Sequence, residues 1–544
     1  MAAPSLRFRQ VHLDFHTSEH IVSIGAQFDP HEFAATLARA HVDSVTCFSR
    51  CHHGWIYHDT RFPAKHPGLE RNLLKEQVEA CHARDIRVPI YITVGWDEKC
   101  AREHPEWLEM TPEGGIAGAP PLSPGWRRLC FNTAYVDYVV AQTEEVMQMF
   151  PVDGLFFDIL HQGECCCPAC LASMHEAGLD PSNPSHRRSF ANGILRETKH
   201  RLYSTVRRYS SDCTIFFNAG HVGPDIRTDL EYYTHLELES LPSGGWGYDH
   251  FPATVRYARN LGLPTMAMTG RFHRSWGDFG GYKNQAALEF ECFSALAEGS
   301  ICSVGDQLHP SGKINAATYQ LIGNVYSQVA AKEPWCSETQ AVTEIAILTP
   351  EAVGTADGRV DTSLAGALHM LQEAHYQFDV VDTQSDLGSY KVLILPDKIP
   401  VDAELTTKIQ AYLSSGGRLL MSHKAGTDPA TGQFALQFGC RVLGEADHSP
   451  DYLVAKAGMS QAIWDTEHVM YERALAIETD QEVEVLAEQW RPYFNRTYKH
   501  FCSHGQTPPE AATGRPAVIR SGRIIYFAHP IFRMYRRYGA HTYK

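Results

Sequence analysis

The sequence TAYVDYVVAQTEEVMQMFPVDGLFFD (residues 133–158) pairs a predicted helix with a predicted strand. Its first part, up to Phe150, repeats apolar residues at the spacing of an amphipathic helix. Its last part, VDGLFFD (152–158), is short and apolar on both faces, as expected for a strand of a covered parallel sheet. A helix that leads through a short turn into such a strand is typical of α/β folds.

The same alternation of strand and helix occurs eight times before about residue 335. The other seven predicted strands are QVHLDF (10–15), VDSVTCF (42–48), IRVPIYITV (86–94), CTIFFN (213–218), THLELE (234–239), PTMAMT (264–269) and SICSVG (300–305). A helix is predicted directly after Asp29-Pro30, because aspartate caps helices and proline suits the first helical position. Eight such units predict a (β/α)8 TIM barrel with enlarged loops, assigned to residues 1–338.

A second α/β domain is predicted over residues 339–544. The strands TEIAILTP (343–350), FDVVD (378–382), YKVLILP (390–396) and RLLMSH (418–423) alternate with amphipathic helices, as in a flavodoxin-like doubly wound domain. Neither GxGxxG nor a P-loop occurs in this part of the sequence, so we assign it no nucleotide.

The composition argues against several classes of partner. A formal net charge of −15 over 544 residues disfavours nucleic acid and anionic membranes, which need basic surfaces. The first residues, MAAPSLRFRQ, lack an apolar signal core, and no run approaches ~18 apolar residues. The fifteen cysteines fit reduced thiols better than a disulfide scaffold. We therefore expect a cytoplasmic protein.

The active site of a TIM barrel lies at the carboxyl ends of its strands, where this sequence places histidines, tryptophans and acids. Such a mixture suits a sugar, because aromatic faces stack on its C–H groups while polar side chains bind its hydroxyls. The candidate substrate-binding residues are His16, His52, His53, Trp55, Tyr57, Trp96, Asn218, Trp246, Arg271 and His273. A zinc site formed by His52 and His53 is less favoured, since adjacent side chains of an extended chain point apart.

Two catalytic carboxyl groups are expected among these strand ends. Asp158 ends an almost wholly apolar strand and is our candidate nucleophile. Glu237 and Glu239 share one face of the sixth strand by its period of two, and charged glutamates are unusual in a buried strand. Glu239 lies nearer the rim and Glu237 deeper, and either could be the acid/base. This chemistry needs no catalytic cofactor.

Several motifs resemble those of a known enzyme family. CHHGW (51–55), VPIYITVGWDE (88–98) and VDGLFFDI (152–159) are similar to the histidine-pair, strand-three tryptophan and nucleophile motifs of retaining α-L-fucosidases. The longer run, including the motifs HLELESLPSGGWGYDHFP, GRFHRSWGDFGGYKN and SVGDQLHP, resembles glycoside hydrolase family 151, once grouped as hypothetical glycosyl hydrolase 6. The resemblance covers essentially the whole chain. It implies an exo-acting, retaining α-L-fucosidase for fucosylated oligosaccharides or glycosides, with Asp158 matching the nucleophile. Members often continue into a C-terminal β-domain, which this sequence does not show.

A second resemblance concerns the cysteines. Cys165, Cys167 and Cys170, with Cys130 upstream, resemble the four-cysteine zinc site of many family 42 β-galactosidases. Four thiolates would form a closed structural site, and plain reduced cysteines are the alternative. The shared layout of barrel and flavodoxin-like domain also implies a homo-oligomer, with a trimer expected.

Two other functions remain open from the sequence. One is a β-galactosidase or arabinosidase with the family 42 layout. The other is a catalytically inactive carbohydrate-binding protein, although a binding site gains little from a second buried carboxylate.

Overall fold

The computed structural model describes residues 6–120, 122–456, 459 and 463–539. Its first sheet has eight parallel strands in the order β5-β4-β3-β2-β1-β8-β7-β6. The backbone N–H of Thr234, just before β6, donates to the carbonyl of Ile215 in β5 at 3.1 Å and bridges the two edges. The strands are β1 (Arg9–Asp14), β2 (Ser44–Arg50), β3 (Pro89–Thr93), β4 (Gly154–Asp158), β5 (Thr214–Phe217), β6 (Leu236–Glu239), β7 (Thr265–Gly270) and β8 (Ile301–Gln307). The predicted TIM barrel is confirmed.

Helices separate most strands of this barrel, as the sequence predicts, whereas β5 and β6 are joined by the 3-10 segment Pro224–Tyr232. The first begins as expected, because the carboxylate of Asp29 accepts the N–H groups of His31 and Glu32 at 2.8 and 3.0 Å, with Pro30 in the first helical position. The helices are α1 (Pro30–Arg39), α2 (Leu73–His82), α3 (Glu98–Glu103), α4 (Tyr135–Met149), α5 (Pro168–Glu176), α6 (Pro184–Tyr209), α7 (His250–Ala258), α8 (Gln285–Ala297) and α9 (Ala316–Cys336).

Aromatic side chains fill the barrel interior below its carboxyl-terminal mouth. The rings of Phe48 and Tyr91 stack with centroids 3.7 Å apart, and Phe156 continues the stack 5.7 Å beyond Tyr91. His12 on β1 packs edge-on against Phe156 at 4.8 Å. A barrel core packed in this way positions the side chains above it rigidly.

The chain divides into two compact units. One short segment from the barrel part of the sequence groups with the second unit, which was not predicted. Unit 1 comprises Met1–Gly247 and Leu261–Gln340, and unit 2 comprises Tyr248–Asn260 and Ala341–Lys544. The segment that contains α7 groups with unit 2 because its side chains bond there. The hydroxyl of Tyr257 donates to Asp382 at 2.7 Å.

Unit 2 contains a nine-stranded sheet in the order β10-β9-β11-β12-β19-β18-β17-β14-β15, of which the first five strands are parallel. This parallel part is the predicted flavodoxin-like fold, and antiparallel strands extend it. A separate pair is formed by β13 and β16. The strands are β9 (Ile345–Leu348), β10 (Phe378–Val381), β11 (Val392–Leu395), β12 (Arg418–Ser422), β13 (Cys440–Glu445), β14 (Asp451–Ala455), β15 (Glu467–Met470), β16 (Leu475–Thr479), β17 (Glu484–Pro492), β18 (Pro509–Ser521) and β19 (Ile524–Phe527). The helices are α10 (Thr362–Glu373), α11 (Ala403–Ser414) and α12 (Ile531–Tyr538).

Within the described ranges, no helix combines the length and apolar character needed to cross a membrane.

Candidate active site

Two carboxyl groups meet at the barrel mouth through one amide. Asp158 is the last residue of β4 and Glu239 the last of β6, and their exposed fractions are only 8% and 9%. Asn218, which follows β5, lies between them. Its Nδ2 is 2.9 Å from Oδ1 of Asp158 and 3.1 Å from Oε2 of Glu239. Since one nitrogen touches both oxygens, these oxygens are at most about 6 Å apart, close enough to flank a single glycosidic bond.

Asp158 is held by donors on several sides. The hydroxyl of Tyr91 donates to Oδ2 at 2.5 Å, and the backbone N–H of Ile159 donates to Oδ1 at 2.9 Å. Burial raises the pKa of Asp158, and the hydrogen bonds from Tyr91 and Asn218 together with nearby His12 oppose that rise. These contacts leave the carboxylate oriented and poorly solvated, as suits a nucleophile.

The backbone beyond Asp158 is in an unusual conformation. Ile159 has a φ of 59°, a left-handed value that a β-branched residue rarely adopts. Gly95 makes room for this turn, because a Cβ at that position would lie 2.2 Å from the carbonyl oxygen of Ile159. Outliers of this kind are concentrated at functional sites, where the surrounding structure holds them.

Glu239 receives a donor from the opposite side of the mouth. The indole Nε1 of Trp276, in the loop after β7, donates to Oε1 of Glu239 at 2.6 Å. The ring crosses β8 at Gly305, where a Cβ would lie 1.9 Å from the indole carbon Cζ3. Trp276 was absent from the predicted binding residues, and the only signal for it is a tryptophan in the loop after the seventh strand.

Glu237 lies in the amino-terminal half of the barrel, whereas Asp158 and Glu239 lie at its carboxyl-terminal mouth. Its carboxylate is 3.0 Å from Nε2 of His235 and 3.5 Å from Nε2 of Gln10. These side chains line a cavity of about 10 Å³ at the amino-terminal ends of the strands, with room for about one water molecule. The structure therefore brings Glu239, and not Glu237, into contact with the amide that touches Asp158.

His52 offers an acceptor to this site. Its Nδ1 lies 2.7 Å from Oγ1 of Thr93, which itself donates to the carbonyl of Trp96 at 2.9 Å. Nδ1 is therefore the protonated nitrogen and Nε2 carries the lone pair. Burial, reinforced by His16 and His53, lowers the pKa of His52 well below its usual value, so the ring is neutral. Nε2 lies 3.7 Å from Oδ2 of Asp158 and can accept a bond from a substrate hydroxyl there.

Further rings surround His52. His16 stacks on it with centroids 4.0 Å apart, and Trp96 meets it edge-on at 4.8 Å. Trp126, which the sequence prediction missed, lies 5.4 Å from His52 and 4.6 Å from His53. Trp126 lies in the long segment before α4. Antiparallel bridges pair Gly118 with Arg127 within this segment and Arg128 with Trp96, and these bridges bring Trp126 to the site. That pairing has no local sequence signal.

Three other predicted binding residues, Trp55, Tyr57 and Trp246, contact side chains or backbone outside the group around His52 described above. Trp55 donates to Glu19 at 3.2 Å, while Tyr57 is fully buried and its hydroxyl lies 2.7 Å from Oγ1 of Thr17. Trp246 packs near Gly220, whose Cβ position would be 3.9 Å from the ring.

Arg271 and His273 follow β7. Arg271 is buried and bonds to Asp306 at 2.8 Å and to the carbonyls of Asp278 and Gly281, so its guanidinium organises the loop that carries Trp276. His273 is exposed.

The four predicted metal ligands form one cluster. The sulfurs of Cys130, Cys165, Cys167 and Cys170 all lie within 4.8 Å of one another, and the residues are buried. Cys130 Sγ is 3.4 Å from that of Cys170 and 3.7 Å from that of Cys167. Tetrahedral zinc with Zn–S bonds of ~2.3 Å places its sulfurs about 3.8 Å apart, so this donor set fits a structural zinc ion. Cys166 instead points towards the carbonyl of Glu164.

Comparisons with known proteins identify the family of the chain. Residues 29–159 match the family described as hypothetical glycosyl hydrolase 6, and residues 368–531 match the β-galactosidase trimerisation domain. A search of curated proteins found no match. The first family match, together with the structural match to an α-L-fucosidase that follows, defines the protein as a glycoside hydrolase.

The α-L-fucosidase isoenzyme 2 of Paenibacillus thiaminolyticus is 40% identical over 98% of this chain and 81% of that chain, with a TM-score of 0.94. The chain therefore belongs to the α-L-fucosidases of glycoside hydrolase family 151.

Two β-galactosidase structures share the fold alone. The enzyme of Rahnella sp. R3 has 13% identity and a TM-score of 0.75, over 98% of this chain and 89% of that chain. The enzyme of Bacillus circulans sp. alkalophilus has 14% identity and a TM-score of 0.72, over 96% and 86%.

Proposed function

We propose that this protein is an exo-acting α-L-fucosidase that releases terminal α-L-fucosyl residues with retention of configuration. The observation that carries the proposal is the contact of one Asn218 nitrogen with both Asp158 and Glu239. Retaining glycosidases hold their carboxyl groups ~5–5.5 Å apart, and inverting ones ~6.5–9.5 Å apart. An upper limit of about 6 Å between the bonded oxygens favours retention.

In the first step, an oxygen of Asp158 attacks the anomeric carbon of the fucosyl unit. The bond from that carbon to the aglycone oxygen breaks, and its electron pair stays on the leaving oxygen. Glu239 gives that oxygen its proton. Asp158 is then an ester and Glu239 a carboxylate.

In the second step, Glu239 takes a proton from a water molecule whose oxygen attacks the same carbon. The ester bond breaks and its electron pair returns to Asp158. Fucose leaves with its original anomeric configuration. Glu237 takes no part in this proposal, because its partners are His235 and Gln10.

Substrate binding follows from the rings beside Asp158. We propose that Nε2 of His52 accepts a fucose hydroxyl, while Trp96, Trp126 and His53 cover apolar faces of the sugar, including its C6 methyl group. Two tryptophans beside deeply set carboxyl groups suit a pocket for one terminal sugar. Fucosylated oligosaccharides and glycosides are the proposed substrates.

The test compares nitrophenyl α-L-fucoside with nitrophenyl β-D-galactoside and α-L-arabinoside, and follows the first-formed product by NMR. We expect hydrolysis of the fucoside, with α-L-fucose appearing first. Faster hydrolysis of either other glycoside would reassign the enzyme. Fucose binding without turnover of any glycoside would identify an inactive carbohydrate-binding protein.

We also propose that the Cys130–Cys170 cluster holds a structural zinc ion. Four thiolates leave no coordination position for chemistry, so the ion would fix the loop after Asp158 without entering the reaction. Every cysteine of the chain lies in the described ranges, and none of them forms a disulfide. This supports, as a further proposal, a reducing cytoplasmic location.

A homotrimer is the proposed assembly. Its support is the match of residues 368–531 to a trimerisation domain. Light scattering should give a mass three times that of the 60.9 kDa chain. A monomer mass at micromolar concentration would rule the trimer out.

A further inference from the structure

The amide of Asn218 has both of its hydrogens committed. Nδ2 faces Asp158 and Glu239, while the amide oxygen accepts the backbone N–H of Gly220 at 3.0 Å. This third contact fixes the orientation of the amide, because a flipped amide would turn its oxygen towards two carboxyl groups and its nitrogen towards an N–H. Only 7% of Asn218 is exposed. No hydrogen of this amide remains for a sugar hydroxyl.

The backbone holds Asn218 in this place. Its N–H donates to the carbonyl of Phe157 at 2.7 Å, and its own carbonyl accepts the N–H of Leu160 at 2.8 Å. Asn218 is therefore paired with the residues on both sides of Asp158. A side chain anchored in this way can fix the spacing of the two carboxyl groups.

We propose that Asn218 is a positioning residue that donates to both carboxyl groups and stabilises the negative charge wherever it lies during the reaction. The inference rests on the double displacement proposed above and differs from the sequence expectation that Asn218 binds the substrate.

The charge balance of the reaction gives this role its physical basis. Before the first step, Asp158 is ionised and Glu239 carries a proton. After it, Asp158 is bonded to the sugar and Glu239 is ionised, and the second step reverses this exchange. The pair carries one negative charge in both states, so one of the two Asn218 hydrogen bonds is always charge-assisted. The amide need not reorient, which avoids a reorganisation cost in both transition states.

Further groups of the described residues face one or the other member of the pair. Tyr91 on β3 donates to Asp158, and His12 on β1 and His52 after β2 also face that carboxylate. Trp276 donates to Glu239. Asn218 differs from these groups because its removal should disfavour the ionised form of both carboxyl groups together.

The experiment measures the pH profile of kcat/KM on nitrophenyl α-L-fucoside for wild type, Asn218→Ala and Asn218→Ser. We expect Asn218→Ala to lower kcat roughly 10²-fold and to move both limbs of the profile to higher pH by about 0.5–1 unit. Asn218→Ser keeps a single donor and should move mainly one limb. If the alanine variant does not fold, the serine variant decides.

Three further variants separate this role from a structural one. Tyr91→Phe should move the acid limb alone, and Trp276→Phe the alkaline limb alone. Asn324→Ala is the matched control, since its exposed amide bonds to Gln285 at 3.1 Å outside the barrel, and it should leave the profile unchanged.

Two results would overturn the inference while the proposed function stands. One is a slower Asn218→Ala enzyme whose two limbs coincide with those of wild type. The other is a raised KM at unchanged kcat, which would make Asn218 a substrate ligand. A wild-type enzyme that hydrolyses no fucoside would instead overturn the proposed function, and the inference with it.

Discussion

The indole ring of Trp276 occupies the space above Gly305 that any other residue would fill with a Cβ atom. Because the ring packs against this glycine of β8, its indole N–H is held where it donates to Glu239. The relationship connects a residue in the strand with the chemistry proposed at the mouth, and it can be tested by adding one methyl group.

Gly305→Ala should displace Trp276 and weaken its hydrogen bond to Glu239. We expect kcat/KM for the fucoside to fall at least ~10-fold, since a donor to a catalytic carboxyl group is lost. Circular dichroism should show that the barrel remains folded. Gly193→Ala is the control, because Gly193 lies within α6 and a Cβ added there meets no other atom within 4 Å. This variant should keep full activity. Full activity in Gly305→Ala would show that the indole contact is dispensable.

His52→Ala should raise KM more than it lowers kcat. The imidazole is neutral because burial lowers its pKa, so it acts by accepting a hydroxyl and not by transferring a proton. Loss of one buried hydrogen bond should reduce kcat/KM about 10- to 100-fold. Since burial holds the pKa of His52 well below its usual value, the limbs of the pH profile should not report its titration and should not move. A shift of either limb would assign the limb to His52.

Cys170→Ser should abolish stoichiometric zinc binding and lower the melting temperature. Removing one ligand from a closed four-thiolate site takes away both the metal and its contribution to folding. Atomic emission should find about one zinc per wild-type chain under this proposal. Cys166→Ser is the matched control, because the Cys166 sulfur is not among the four clustered sulfurs and contacts the carbonyl of Glu164. Purified wild type without zinc, prepared without chelators, would rule out the metal site.

His423 should make unit 2 sensitive to acid. Burial lowers the pKa of His423 to about 3, below the ~6.5 of an unfolded histidine. Because the folded-state pKa is depressed, the unfolded chain binds the proton first as pH falls below about 6.5, and stability is lost from there down to about 3. Between pH 6.5 and 4.5 the loss is about 2 kcal/mol.

His423→Asn should reduce that loss, and asparagine also tolerates the φ of 49° at this position. Thermal melts at the two pH values measure the effect. The exposed His504 provides the control, since His504→Asn should melt as wild type at both. An unchanged pH dependence in His423→Asn would place the acid sensitivity elsewhere.

The architecture was largely predictable because it depends on local patterns. Most barrel strands are rich in apolar residues, and the rule that sites lie at the carboxyl ends of barrel strands is enough to select Asp158 as a candidate. Glu237 and Glu239 could not be separated in this way. They share a face by period two, and their order along β6 gives only their relative depth, whereas which of them meets Asp158 depends on how the whole barrel closes around them.

Other features depend on contacts between residues distant in sequence. Trp126 reaches the site through bridges within a long loop, and Trp276 through the absence of a side chain at Gly305. The grouping of α7 with unit 2 rests on partners more than a hundred residues away, such as Asp382 for Tyr257. Helical periodicity shows that a face is apolar but does not show which surface it packs against.

The most direct test of the central claim is mass spectrometry of the enzyme after reaction with a 2-fluoro-fucosyl fluoride, which slows breakdown of a covalent intermediate. We predict one added 2-fluoro-fucosyl group per chain, mapped to the peptide that carries Asp158. A label on Glu239, or turnover by inversion with no covalent adduct, would contradict the account.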